Sequence, residues 1–154
     1  MPILETRTQH WPDEAACEQA ARQLAARPAL RRAYVELLGP LGAGKTTFAR
    51  RLLHALGVQG RVKSPTYAVM EAYALPGWHA WHFDFYRFND PQEWEDAGFR
   101  DVFASPGLKL AEWPEQARGL VPEPDLRVGI APLDGDERQV TFAACTPLGL
   151  ELLP

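Results

Sequence analysis

The sequence predicts an α/β fold: a three-layer sandwich whose mixed sheet carries added β-hairpins in its second half. Three observations support this. A short apolar run, Ala33 to Leu38, leads through a glycine-rich turn into Lys45 to Leu56, which has helical spacing. Two aromatic-rich segments flank Pro76-Gly77, a turn signal. Leu126 to Ala131 and Gln139 to Ala144 alternate as strands do, on either side of Asp134-Gly135-Asp136.

In chain order, Asp13 follows Trp11-Pro12 and is the expected cap of a helix over about 14–26, with Ala16, Ala20 and Leu24 on its apolar face. Ala33 to Leu38 reads as a buried strand. In Lys45 to Leu56, Phe48, Leu52, Leu53 and Leu56 share the apolar face and Gly57 ends the helix. Arg61 to Thr66 is a loop. Tyr67 to Leu75 and Trp78 to Phe88 form a predicted hairpin. Asp90 caps, and Pro91 opens, a short helix through about Ala97. Gly107 to Glu112 is a further short strand, and Pro114 to Leu120 provides one or two helical turns.

The bulk numbers set limits. The 154 residues suit a single domain, 1–154, able to bury a sizeable core without staples. Hydrophobic residues make up 46% and charged residues 23%, ordinary for a soluble globular protein. No apolar run approaches the roughly 18 residues of a membrane span. Met1 to Trp11 is polar, without the core of a signal peptide, so a cytoplasmic location is expected. Cys17 and Cys145 lie in no metal-binding pattern and read as packing residues. The net charge of −4 argues against a broad grip on nucleic acid. Only three of the 16 basic residues are lysines, so each lysine kept in this arginine-rich background needs a reason.

Lys45 has one. Gly39, Gly44, Lys45 and Thr46 satisfy GxxxxGK[ST] within Gly39-Pro40-Leu41-Gly42-Ala43-Gly44-Lys45-Thr46, and a strand and a helix flank them as a P-loop requires. The glycines let main-chain N–H groups turn inward, making an anion nest at a helix N-terminus. Lys45 supplies a point charge for the β- and γ-phosphates, and Thr46 a hydroxyl for Mg²⁺. The fold class is therefore P-loop NTPase-like, and the expected ligands are a purine nucleoside triphosphate and Mg²⁺.

A P-loop site also needs a carboxylate near the metal, at the end of a neighbouring strand. Asp84 and Glu112 both qualify, and residue chemistry alone does not choose between them. Alternation places His82, Asp84 and Tyr86 on one side of their strand and Trp81, Phe83 and Phe85 on the other; the first side is the chemical one. His79 and His82 are three apart and point to opposite faces, which argues against zinc. Ser64-Pro65-Thr66 is either a switch loop sensing the γ-phosphate or a local proline turn.

Taken together, GPLGAGKTTFAR, VKSPTY, HFDFYR followed by DP, and LAEWPE, in that order, resemble the bacterial TsaE (YjeE) family over roughly residues 35 to 116. The resemblance implies an ATPase needed to form threonylcarbamoyladenosine beside the anticodon of tRNAs that read codons starting with A. It implies a TsaD–TsaB-type partner complex, contact with tRNA through that complex, and no membrane. It assigns Mg²⁺ to Thr46 and Glu112, and the phosphates of ATP or ADP to Leu41, Gly42, Ala43, Gly44, Lys45, Thr46 and Thr47. Asp84 becomes the Walker-B-like acid, Ser64-Pro65-Thr66 the switch loop with Thr66 acting in turnover, and Trp113 a neighbour of the site. Pro40 and Ala111 depart from the family's usual residues without touching these roles. No motif fixes the base contacts; His10 to Glu14 and the last hairpin near Arg138 are the candidates. The competing readings are a small P-loop metabolite kinase, for which Arg87, Arg100, Arg118 and Arg127 could build a lid, and a nucleotide-sensing module without turnover.

Overall fold

A computed structural model of the chain describes residues 2–154. Seven strands form one mixed sheet in the order β1-β7-β6-β2-β5-β4-β3, where β1 is Glu5–Trp11, β2 Tyr34–Leu38, β3 Met70–Leu75, β4 Trp78–Asp84, β5 Leu108–Glu112, β6 Leu126–Pro132 and β7 Arg138–Ala144. The central strands β6, β2, β5 and β4 run parallel; on one flank β3 pairs antiparallel with β4, and on the other β7 pairs antiparallel with β6 and β1 with β7, so β1 again runs in the direction of the central strands. Of the parallel strands, β2 and β5 are buried along nearly their whole length, as strands covered on both faces are.

Helices α1, Glu14–Ala25, and α2, Lys45–Ala55, pack together on one face, over Val35 and Leu37 of β2 and Leu108 and Leu110 of β5. The Asp13 carboxylate caps α1 by accepting from the Ala16 N–H at 3.0 Å. The other face carries an aromatic cluster of Phe83, Phe85, Phe88, Trp94 and Phe99, contributed partly by α3, Pro91–Asp96, and α4, Phe99–Ala104. The expected three layers are thus present, and the Pro76-Gly77 and Asp134 to Asp136 turns do join antiparallel pairs.

The structure corrects the sequence reading in several places. The polar N-terminal segment, to which the sequence reading gave no element, is a strand: Glu5 to Trp11 pairs along its length with β7. Its side chains are mostly exposed, so main-chain bonding rather than an apolar stripe makes it a strand. β3 begins at Met70, not Tyr67, because residues 66–69 turn through Val69 at φ +67°. β4 ends at Asp84, beyond which Phe85 to Phe88 turn back on themselves. Helix α4 and a final short helix α5, Pro147–Leu150, had no periodic signal long enough to announce them. Lys109, the second lysine needing a reason, is buried and donates to the Ser105 carbonyl at the end of α4. Among the described residues, no helix is long and apolar enough to cross a membrane.

Candidate functional site

The glycine-rich turn connects the C-terminal end of β2 to the first residue of α2, at the sheet edge where open α/β folds bind ligands. Gly39 has φ +147°, and a Cβ there would fall 2.4 Å from the Ile130 carbonyl oxygen on β6, so only glycine fits. Gly44, at φ +107°, is the N-cap of α2 and leaves the first N–H groups of the helix unclaimed by a capping side chain. Lys45 Nζ donates to the Gly39 carbonyl at 2.5 Å and lies 3.6 Å from the centroid of the Trp113 ring. Burial lowers the Lys45 pKa, and the charges of Glu112, Glu115 and Asp84 resist that shift.

The register of the parallel strands puts Asp84 of β4 directly beside Glu112 of β5. Both side chains are buried, and they have different partners. The Thr46 hydroxyl lies 2.8 Å from one Glu112 oxygen and 3.0 Å from the other, and His82 Nε2 lies 2.7 Å from the second. Asp84 instead accepts from the Thr66 hydroxyl at 3.1 Å and the Tyr86 N–H at 2.9 Å. Burial raises the Asp84 pKa above its ordinary range and the adjacent Glu112 adds to this, while the Tyr86 and Thr66 donors pull it back.

Ser64 and Thr66 share a hydroxyl–hydroxyl bond of 2.8 Å, which brings the Ser64-Pro65-Thr66 loop onto Asp84. Two bulky residues flank this centre with backbones in the left-handed region, Val69 at φ +67° and Trp113 at φ +54°. Such conformations cost on the order of 1–3 kcal/mol and persist only where the surroundings impose them. The consequence at Trp113 is visible: its ring turns between Lys45 and Tyr86, whose ring centroid is 5.1 Å away.

These groups surround a cavity of about 360 Å³ lined by Leu41 to Thr47, Ser64, Thr66, Asp84, Tyr86, Arg87, Glu112 and Trp113. A second cavity of about 200 Å³ adjoins it across Ala43, Gly44 and Thr47 and is walled by Trp11, Asp13, Glu14, Cys17, Asp136 and Arg138. Arg138 Nε braces that wall by donating to the Ala43 carbonyl at 2.8 Å. Burial raises the Cys17 thiol to about 11, so it is an unreactive, apolar part of the lining.

Every residue expected at the site therefore falls in one place: Leu41 to Thr47, Thr66, Asp84, Glu112 and Trp113 all line the larger cavity. Of the base-side candidates, Trp11, Asp13, Glu14 and Arg138 line the smaller one; His10 does not, its ring being bonded to Glu137 at the exposed hairpin edge. Sequence reasoning missed Cys17 and Asp136, which reach the cavity from separate elements and carry no motif. It also missed the His82 bond to Glu112, for which the only signal was the alternation of His82 with Asp84. The kinase lid loses two of its arginines: Arg118 and Arg127 face Glu36 at 3.4 and 3.3 Å, on the aromatic face of the sheet, and of the four only Arg87 lines the nucleotide-sized cavity.

Comparison with known proteins identifies the family and the fold. The family described as "Threonylcarbamoyl adenosine biosynthesis protein TsaE" matches residues 11–140. The chain is 40% identical over 156 residues to the tRNA threonylcarbamoyladenosine biosynthesis protein TsaE of Haemophilus influenzae, covering 97% of each chain. It is 37% identical over 108 residues to the protein of that name from Bacillus subtilis, covering 70% of this chain and 67% of the other. The crystal structure of Bacillus subtilis YdiB superposes with a TM-score of 0.82 at 24% identity, covering 99% of this chain and 94% of that one, which is a likeness of fold. With a family match across most of its length and a near-full-length relative at this identity, the chain belongs to the TsaE family.

Proposed function

We propose that this chain is the Mg²⁺-dependent, ATP-hydrolysing component of the machinery that forms threonylcarbamoyladenosine on tRNA, working as one domain with a TsaD–TsaB-type complex and reaching tRNA through it. The observation that carries the reading is the joining of Thr46, the P-loop hydroxyl, to Glu112 at the end of the adjacent parallel strand. That pair offers hard oxygen donors beside an anion nest, the combination Mg²⁺ takes together with phosphate oxygens.

In this reading the N–H groups of Leu41 to Thr47 and the Lys45 ammonium hold the phosphates, and Thr46 and Glu112 hold the metal. When bound, Mg²⁺ offsets charge on the β- and γ-oxygens. Asp84 and Thr66, bonded to each other, orient the attacking water. The smaller cavity beside Ala43 takes the nucleoside, with Trp11 and Arg138 in its wall. Trp113 covers Lys45 and limits water at the reacting phosphate.

ATP turnover measured with and without purified TsaD–TsaB and tRNA tests the proposal. Slow hydrolysis that the partners stimulate, lost in Lys45→Ala together with triphosphate binding, is the expected result. Phosphate transfer to a small acceptor, or turnover indifferent to the partners, would overturn it.

A further inference from the structure

His82 is fully buried on β4, two residues before Asp84 and on the same face. Its Nε2 is 2.7 Å from Glu112 Oε2, the oxygen that the Thr46 hydroxyl also approaches, at 3.0 Å. An ionised carboxylate only accepts, so the ring proton sits on Nε2. Nδ1 is shielded from solvent and has no hydrogen-bond partner among the described residues. A buried imidazole with one nitrogen unpaired costs stability relative to an apolar side chain of similar shape, so packing does not account for a histidine here. The bond to Glu112 does: it is the one polar contact the ring makes.

We infer that His82 is a positioning residue for the metal-side carboxylate. Glu112 has several rotatable bonds, and Thr46 alone fixes its carboxylate from one side. The Nε2–H of His82 fixes it from the other, so that one oxygen stays turned toward Thr46 and the phosphate nest. Carboxylates around metals depend on such supporting donors, whose loss weakens metal affinity without touching the ligands themselves. The inference rests on the reading of Thr46 and Glu112 as the Mg²⁺ side of the site. His82 itself lines neither cavity.

The test is calorimetric ADP and ATP binding to the intact chain, in EDTA and across a Mg²⁺ titration, without reference to turnover. Four variants are compared: His82→Leu, His82→Gln, His82→Asn and Glu112→Ala. The Gln amide can place an N–H near the position of the ring Nε2, whereas the shorter Asn cannot reach Glu112. His82→Leu and His82→Asn are expected to raise the half-saturating Mg²⁺ concentration about tenfold while leaving ADP affinity in EDTA within about twofold, and His82→Gln to recover most of the difference. If His82→Leu does not fold, the Gln–Asn contrast alone decides, since both are polar and differ by one methylene. An unchanged Mg²⁺ response in His82→Asn, an equal loss with and without metal, or no recovery in His82→Gln would overturn the inference. The Glu112→Ala arm separates the two levels. If it shifts the Mg²⁺ response and the histidine variants do not, only the role of His82 fails; if it leaves the response untouched, the metal-side reading fails with it.

Discussion

The Thr46 hydroxyl and the Glu112 carboxylate, 66 residues apart in sequence, meet at 2.8 Å where the start of α2 faces the end of β5. The contact links the first turn of α2, next to the glycine-rich turn, to the end of β5, next to Trp113. Removing the carboxylate should therefore damage metal-dependent steps selectively. Glu112→Ala is expected to lower Mg²⁺-dependent hydrolysis at least about tenfold, and metal-free nucleotide affinity much less. Turnover and EDTA binding measured side by side check this; equal losses would count against a metal role.

The Thr66 hydroxyl is held by Ser64 and by Asp84. Thr66→Ala should reduce turnover by about tenfold through lost orientation while ADP affinity stays nearly unchanged. A large drop in ADP affinity would mean that the loop supports the fold of the site rather than its chemistry.

Asp84 ionises less readily in the folded chain than in the unfolded one, because burial and the Glu112 charge disfavour its carboxylate. Linkage makes ionised Asp84 a destabilising group: the cost is absent well below the ordinary value of 3.8, grows as pH rises toward the folded pKa, and is complete above it. Asp84→Asn should thus lose turnover yet melt higher near neutral pH, by about 2–4 °C for each kcal/mol relieved. The gain should shrink as pH is lowered through the raised folded pKa toward 3.8 and vanish well below it. Thermal unfolding across that range tests the sign; a gain independent of pH would show that the charge is not its source.

Arg138 fastens the last hairpin to the P-loop through the Ala43 carbonyl and walls the smaller cavity. Arg138→Ala is expected to weaken ATP binding about tenfold, the size of one lost charge-assisted contact, and to leave inorganic triphosphate binding unchanged. Competition between the two ligands against a fluorescent nucleotide would reveal the split. Parallel losses would show that Arg138 acts by bracing the Ala43 carbonyl rather than on the nucleoside.

The sequence by itself determined what depends on local backbone chemistry. Glycine spacing before Lys45, the caps at Asp13 and Asp90, and the Pro76-Gly77 turn act within a few residues, so the strand–turn–helix around Gly39 to Gly44 and the β3–β4 hairpin were legible. Four ordered motifs also led to the family. What only the tertiary structure decided depends on register and pairing between distant segments. Glu5 to Trp11 carries no apolar stripe, and its strand exists through main-chain bonds to β7. Asp84 and Glu112 look equivalent at two strand ends until the β4–β5 register sets them side by side and gives one to Thr66 and the other to Thr46 and His82. A hydrogen bond specifies partners at a distance of about 3 Å. Local periodicity indicates which face a side chain takes, and the packing of the sheet decides what it meets there.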